Sequence, residues 1–137
     1  MGLYVGVSTL TPNTQEAGDV AGVKIHDEAS LRRAADIILS ATQARSVLIT
    51  RGREGMNLFE PGGRVTHLPA VARQVYDVTG AGDTVVACMA LALCVGASLH
   101  EGAVVANHAA GLVIREVGTA VPDPVELLAS LEEAAHA

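Results

Sequence analysis

The stretch 76-YDVTGAGDTVVA-87 decides how this chain is read. Gly80, Ala81 and Gly82 stand in a row with no side chain larger than a methyl group. Asp83 follows, and after it the chain carries no formal charge until Glu101. A small-residue turn ahead of an apolar helix lets the backbone bend tightly, and its N–H groups can converge on one point. Such first-turn donors lack partners within the helix, and with the helix dipole they make an anion site. Asp83 then has two readings. As a plain first-turn carboxylate it would stabilise the helix by ~0.3–1 kcal/mol. As a general base it would stand beside a bound phosphate, and only this reading explains why the approach is bare of side chains.

Working outward, the helix is expected from Asp83 to about Val95, with Gly96 as its stop. Ser98 and Glu101 have the spacing of a capping box for a second helix, expected to reach about Val117 and to end at Gly118. Asp123, Pro124 and Glu126 supply a cap, an N1 proline and a reciprocal glutamate for a last helix. On the other side, 56-MNLFEPGGRVTHLPA-70 reads as a hairpin: strand 56–60, the turn Pro61-Gly62-Gly63, strand 64–69. Val47, Leu48 and Ile49 mark a compact strand over 46–50, closed by the glycines of RGREG. Leu31, Ala34, Ala35, Ile38 and Leu39 fall on one helical face after Ser30, a candidate N-cap. Val5, Val7 and Leu10 suggest a short strand stopping at Pro12-Asn13. Strands alternate with helices, so the expected class is α/β, with residues 1–137 as a single domain. Three or four strands are few for two helical layers, so the chain is expected to be the C-terminal part of a larger fold.

Composition excludes several functions. Net charge is −6 and there are three aromatic residues, Tyr4, Phe59 and Tyr76, whereas nucleic-acid binding calls for a basic face and stacking rings. Half the residues are apolar, yet no run is long enough to cross a membrane. The opening MGLYVGVST lacks the basic and apolar regions of a signal peptide, so a cytoplasmic setting is expected. Cys88 and Cys94 lie six apart on one helix, about 240° around its axis. They cannot pair there and fit no zinc spacing, so buried free thiols are expected.

Four motifs in a fixed order go beyond their parts. The run DVTGAGDT (77–84) resembles the signature of the ribokinase-like (PfkB) carbohydrate kinases. LTPNTQEAG is similar to that family's Asn-x-x-Glu element, ITRGREGM to its Thr-x-Gly-x-x-Gly nucleotide loop, and VANHAAGLVIREVGTAVPDP to its last nucleotide-binding helix. The resemblance covers essentially the whole chain and implies the C-terminal part of a three-layer α/β/α fold. It further implies an ATP- and Mg²⁺-dependent phosphoryl transfer. Asp83 would take the proton of a sugar hydroxyl. The backbone of Gly80, Ala81 and Gly82, with the Asp83 N–H, would hold the transferring group. Asn13 and Glu16 would act through water on Mg²⁺ and the phosphates, although Asn13 could equally form an Asx-turn after Pro12. Thr50, Gly52 and Gly55 would lie along the nucleotide, or else simply end a strand in a turn. Asn107 would sit near adenine, with a helix-surface amide as the alternative; His108 beside it matches no family role. Asp77 and the Thr79 carbonyl would face a monovalent cation, K⁺, with carbonyls around Val113, Glu116 and Gly118; Pro122 stands where some relatives offer a hydroxyl.

Within the family the wording is most similar to the kinases that phosphorylate heptose 7-phosphate for the lipopolysaccharide core. The partners implied are a sugar phosphate and ATP. Family members are longer, and the N-terminal half carries most sugar contacts, so either a homo-oligomer or association with that half is expected. Two other readings stay open. One is a different ribokinase-like kinase, acting on fructose, ribose or a tagatose phosphate. The other is a non-catalytic nucleotide-binding fragment.

Overall fold

A computed structural model describes residues 2–71 and 80–136. Backbone proximity divides the chain into two compact units, Met1–Leu68 and Pro69–Ala137.

The first unit holds a four-stranded mixed sheet: β1 Thr9–Leu10, β2 Ser46–Thr50, β3 Met56–Glu60 and β4 Arg64–Leu68, in that order. β1 pairs with β2 in parallel and the remaining neighbours are antiparallel. The hairpin forms as expected, with Glu60 opposite Arg64 across the three-residue turn, and its second strand ends at Leu68. Val47, Leu48 and Ile49 are all fully buried, which is why β2 reads as a continuous apolar run rather than an alternation. The first strand is reduced to two residues, and a 3₁₀ turn over Gly2–Tyr4 precedes it.

Two helices belong to the same unit. α2, Glu28–Thr42, buries the expected Leu31, Ala34, Ala35, Ile38 and Leu39. Its N-cap is Asp27 and not Ser30, which lies three residues into a reciprocal capping box. Asp27 Oδ1 accepts from the Ser30 N–H at 2.7 Å, and the Ser30 hydroxyl accepts from the Asp27 N–H at 3.1 Å. α1, Thr14–Ala21, was not anticipated as a helix; Pro12-Asn13 starts it rather than merely ending a strand. Ala17, Leu31, Ile38, Val47, Ile49 and Phe59 meet in one cluster that joins these helices to the sheet.

The second unit, among its described residues, consists of α3 Ala81–Cys94, α4 Leu99–Val113 and α5 Pro124–Ala135. α3 begins two residues before the expected Asp83, because Gly80 takes the left-handed N-cap conformation, φ 82° and ψ −6°. The Ser98–Glu101 capping box forms, while α4 ends at Val113, four residues short of Val117. Asp123 caps α5 by accepting from Val125 and Glu126 N–H groups, with Pro124 at the first helical position. The expected return bond from the Glu126 side chain is absent among the described residues. Both cysteines are free, but Cys94 is exposed and Cys88 only half-buried, contrary to the expectation of buried thiols. Partial burial pushes the Cys88 thiol pKa up. No helix among the described residues is long and apolar enough to cross a membrane.

Candidate functional site

In the first unit the parallel pairing of β1 and β2 places their C-terminal ends side by side, the position at which open α/β sheets receive ligands. Asn13 and Thr50 form a parallel bridge just beyond the two strands. The Thr50 N–H donates to the Pro12 carbonyl at 3.0 Å, and the Thr14 hydroxyl donates to the Thr50 carbonyl at 3.2 Å. Two motifs separated by more than thirty residues of sequence thereby become neighbours. Asn13 is the N-cap of α1: its Oδ1 accepts from the Glu16 N–H at 2.9 Å, and Glu16 Oε2 accepts from the Asn13 N–H at 2.8 Å. This is a capping box rather than an isolated Asx-turn, and both side chains remain exposed.

The loop after Thr50 is held open by glycine backbone and fixed by one arginine. Gly52 has φ 58° and Gly55 φ 83°, both in the left-handed range, and a Cβ added at Gly52 would meet nothing within 4 Å. The backbone folds on itself through Arg51 N–H to the Gly55 carbonyl at 2.8 Å and Gly55 N–H to the Gly52 carbonyl at 3.1 Å. The Arg51 guanidinium donates to Glu28 at 2.6 Å and to the side-chain Oδ1 of Asn57 at 3.1 Å, and it also pairs with Glu54. Asn57 Oδ1 lies 3.1 Å from His67 Nδ1 as well. Arg51, Glu28 and Asn57 were not singled out by the sequence reading; the only hint was an arginine set between Thr50 and Gly52 with an acid three residues on. A cavity of about 230 Å³ beside this loop is lined by Thr14, Ile25, His26, Asp27, Arg51 and Glu54.

In the second unit the opening motif builds a bare helix start. Among the described residues no side chain caps α3. The Thr84 hydroxyl turns back to the Gly80 carbonyl at 3.1 Å, beside the helical bond from the Thr84 N–H at 3.0 Å. The N–H groups of Ala81, Gly82 and Asp83 thus lie in the first turn, and a Cβ at Gly82 would find open space. Ala81 and Gly82 are helical, not part of a preceding loop as the sequence suggested. Asp83 is exposed in that same turn. Such a turn can accept an anion on its amides and present a carboxylate at its rim.

Asn107 is buried on α4 and donates from Nδ2 to the Pro69 carbonyl at 2.8 Å, which removes the reading as a helix-surface amide. His108 is also buried, with Nδ1 2.7 Å from the Ser130 hydroxyl of α5, and burial pushes its pKa down. The Val113 carbonyl accepts from the Glu116 N–H at 3.1 Å, and Gly118 has φ 86°. Asp77 and Thr79, the expected cation-facing residues, lie outside the described residues. Among the described residues no three His, Cys, Asp or Glu side chains cluster as metal ligands. The structure therefore brings together Asn13, Glu16, Thr50, Gly52 and Gly55 within the first unit, and Gly80, Ala81, Gly82 and Asp83 within the second.

The sequence matches the family described as pfkB family carbohydrate kinase over residues 2–126. It is 48% identical over 130 residues to the bifunctional protein HldE of Desulfatibacillum aliphaticivorans, covering 95% of this chain and 27% of that protein. To the bifunctional protein HldE of Geobacter sulfurreducens it is 46% identical over 128 residues, or 93% of this chain and 26% of that one. The chain thus spans about a quarter of the length of these curated relatives. Among solved structures, Arabidopsis thaliana ribokinase complexed with ribose and ATP superposes with a TM-score of 0.85 at 29% identity, covering 95% of this chain and 42% of that one. Escherichia coli phosphofructokinase-2 in complex with potassium gives a TM-score of 0.85 at 20% identity over 96% of this chain and 42% of that one, a likeness of fold. The expected α/β class and ribokinase-like fold are borne out by these neighbours.

Proposed function

The chain belongs to the pfkB family of carbohydrate kinases, and on that premise we propose that it is the nucleotide-binding and base-carrying portion of a heptose 7-phosphate kinase. One observation carries the reading. Asp83 is an exposed carboxylate in the first turn of a helix that a left-handed glycine opens, that no side chain caps among the described residues, and that leaves free space at Gly82.

A sugar hydroxyl is too weak an acid to attack at neutral pH unless its proton is removed as the new bond forms. Asp83 takes that proton. The hydroxyl oxygen bonds to the γ-phosphorus of ATP, the bond from that phosphorus to the β,γ-bridging oxygen breaks, and ADP leaves. The N–H groups of Ala81, Gly82 and Asp83 hold the transferring group, whose charge spreads over its three outer oxygens. Thr50, Gly52 and Gly55 line the nucleotide, where glycine backbone allows close approach. Asn107 lies toward adenine. Mg²⁺, when bound, would neutralise phosphate charge, and Asn13 and Glu16 would hold it through water; their side chains are exposed at the start of α1. Asp77 and Thr79, outside the described residues, would be the residues to hold a monovalent cation. With heptose 7-phosphate as acceptor the product is heptose 1,7-bisphosphate, a lipopolysaccharide-core precursor made in the cytoplasm.

The test is ADP release with heptose 7-phosphate, measured on this chain and on the same chain extended N-terminally with the remainder of a relative's kinase domain. Positioning of the reactants provides much of such catalysis, so the extended protein should turn over and residues 1–137 alone should not. Faster turnover with ribose or a fructose phosphate would move the assignment to another sugar kinase. Nucleotide binding without turnover on any sugar would leave a non-catalytic binding module.

A further inference from the structure

Between Thr50 and β3 the chain passes through a 3₁₀ turn, Gly52–Glu54, bounded by two left-handed glycines, Gly52 and Gly55. Glycine loses more conformational freedom on ordering than any other residue, so a loop of this kind needs a tie to keep one shape. Its own backbone closes it through Glu54 N–H to the Arg51 carbonyl at 3.2 Å, together with the Arg51–Gly55 and Gly55–Gly52 bonds. Beyond those bonds, among the described residues, one side chain fastens the loop to the rest of its unit. One terminal nitrogen of Arg51 donates to Oε1 of Glu28, the first residue of α2, at 2.6 Å and to Oδ1 of Asn57 on β3 at 3.1 Å. The other pairs with the Glu54 carboxylate of the loop itself. The Arg51 side chain is only 16% exposed, although its two carboxylate partners stand largely in water. Asn57 is buried and its Oδ1 also meets His67 Nδ1 on β4 at 3.1 Å, so the anchor under the arginine is itself fixed.

We infer that Arg51 is a positioning residue for the nucleotide: bonded at once to Glu54, Glu28 and Asn57, it holds the loop from Gly52 to Gly55 in its binding shape before the nucleotide arrives. This rests on the reading of Thr50, Gly52 and Gly55 as the nucleotide loop. An isolated surface ion pair adds little to stability, whereas a planar fork held from three sides fixes geometry, and a lysine ammonium cannot reproduce it. Charge favours positioning over direct contact with the ligand. Two carboxylates already take up the guanidinium, so it has no surplus positive charge to offer a phosphate. A loop that is competent in only a fraction of molecules binds with its dissociation constant raised by the inverse of that fraction. Ordering by Arg51 therefore raises affinity without touching the nucleotide.

Two variants of the 137-residue chain test this, Arg51→Met and the milder Glu54→Ala, whose site is exposed. Amide exchange of Glu54 and Gly55 without nucleotide should quicken by about tenfold in Arg51→Met, while the Ile49 amide of β2 keeps its rate, the pattern of a local opening. ADP affinity, by calorimetry, should fall by about the same factor. In the chain extended N-terminally, the KM for ATP should rise with it and kcat at saturating ATP should hold, as for lost binding common to ground and transition states. Arg51→Lys should restore little of the affinity. Glu54→Ala gives the sharpest outcome. It removes a negative charge beside an anionic ligand, so electrostatics alone would tighten ADP binding, whereas loss of the tie should weaken it several-fold. Tighter or unchanged binding in Glu54→Ala overturns the inference, as does unaltered loop exchange in Arg51→Met. A loop that loosens in Arg51→Met while the wild-type chain binds no ADP would sink the nucleotide reading. ADP binding that survives both substitutions would sink the positioning role alone.

Discussion

α2 and α3 are nearly the same length, 15 and 14 residues, and differ in almost every other respect. α2 turns Glu28, Arg32, Arg33 and Asp36 to water and buries Leu31, Ala34, Ala35, Ile38 and Leu39. Its N-terminus is closed by Asp27 and Ser30, and the Ser30 hydroxyl and N–H hold the Asp27 carboxyl below its usual pKa range. α3 turns valine and leucine to water, and among the described residues its first-turn amides have no side-chain cap. One helix is finished within its own unit. The other has an N-terminus open among the described residues, where the proposed function puts the transferring phosphoryl group, and an exposed apolar side. The difference separates residues kept for stability from residues kept for a function, and the substitutions below test that division.

The largest effect belongs to the open end of α3. In the kinase extended by its N-terminal portion, Asp83→Asn should lower kcat by ~10²–10⁴-fold, the usual contribution of a general base. ADP affinity should barely change, because the amide keeps the size of the side chain and all three first-turn N–H groups. Steady-state kinetics beside calorimetry reads both. An unchanged kcat would put Asp83 in the same category as Asp27, a residue kept for its helix.

Next comes a matched pair of leucines. Leu31 is buried on α2 and Leu91 is exposed on α3. In this chain Leu31→Ala should cost about 2–5 kcal/mol through lost contacts and a residual cavity. Leu91→Ala should stay within about 0.5 kcal/mol, as surface changes do. Urea midpoints at unchanged m-value measure the difference. Equal costs would mean that α3 is already covered in the isolated chain.

Elements whose signals are local were legible in the sequence. The β3–β4 hairpin declares itself through Pro61-Gly62-Gly63, and the Ser98–Glu101 box fixes the start of α4. The end of α4 was not legible, since Ile114 and Val117 prolong the apolar pattern. The backbone there has already tightened, with Arg115 and Glu116 N–H groups bonding three residues back to Leu112 and Val113. α1 has a single buried residue, Ala17, and Gly18 within it, so no periodicity announces it. The spacing of Asn13 and Glu16 is that of a capping box, the signal that could have found it. For the site, the residue types and their order were legible, but their meeting was not. Asn13 neighbours Thr50 only because β1 and β2 run parallel, a pairing that no spacing encodes. The exposure of Cys94 was hidden for a related reason: an apolar run reads as interior whatever covers it.

The two glycines of the motif should respond with opposite signs. Gly80→Ala forces a side chain into a left-handed conformation at φ 82°, which costs about 1–2 kcal/mol, and it adds a contact with Thr119 Cγ2 at 3.4 Å. Gly82 is helical with free space at its Cβ, so Gly82→Ala should stabilise the chain by up to about 1 kcal/mol. The added methyl would nonetheless stand in the approach to the first-turn amides, so ADP affinity should fall. Thermal melts and calorimetry on the two variants check both signs. A Gly82→Ala protein that gains stability and keeps its affinity would remove the anion role from this turn.

The smallest expected effect lies away from the open end of α3, at the packing of α4 against α5. Burial lowers the pKa of His108 in the folded chain below the ordinary value near 6.5. Above about pH 6.5 the imidazole is neutral in both states and its contribution to stability is complete. As the pH falls further the unfolded chain takes up a proton before the folded one does, so stability declines until the folded group also titrates, and then levels. The decline should be modest, because the Ser130 hydroxyl can accept from the charged ring as readily as it donates to the neutral one. His108→Gln keeps a polar partner for Ser130 but cannot titrate, so its unfolding free energy should lack this component. The expected result is a gap between wild type and variant that narrows from about pH 8 toward about pH 5 as the wild type loses stability. A gap independent of pH would show that His108 is not held neutral by its burial, and that the α4–α5 contact is as open to water as the outer face of α3.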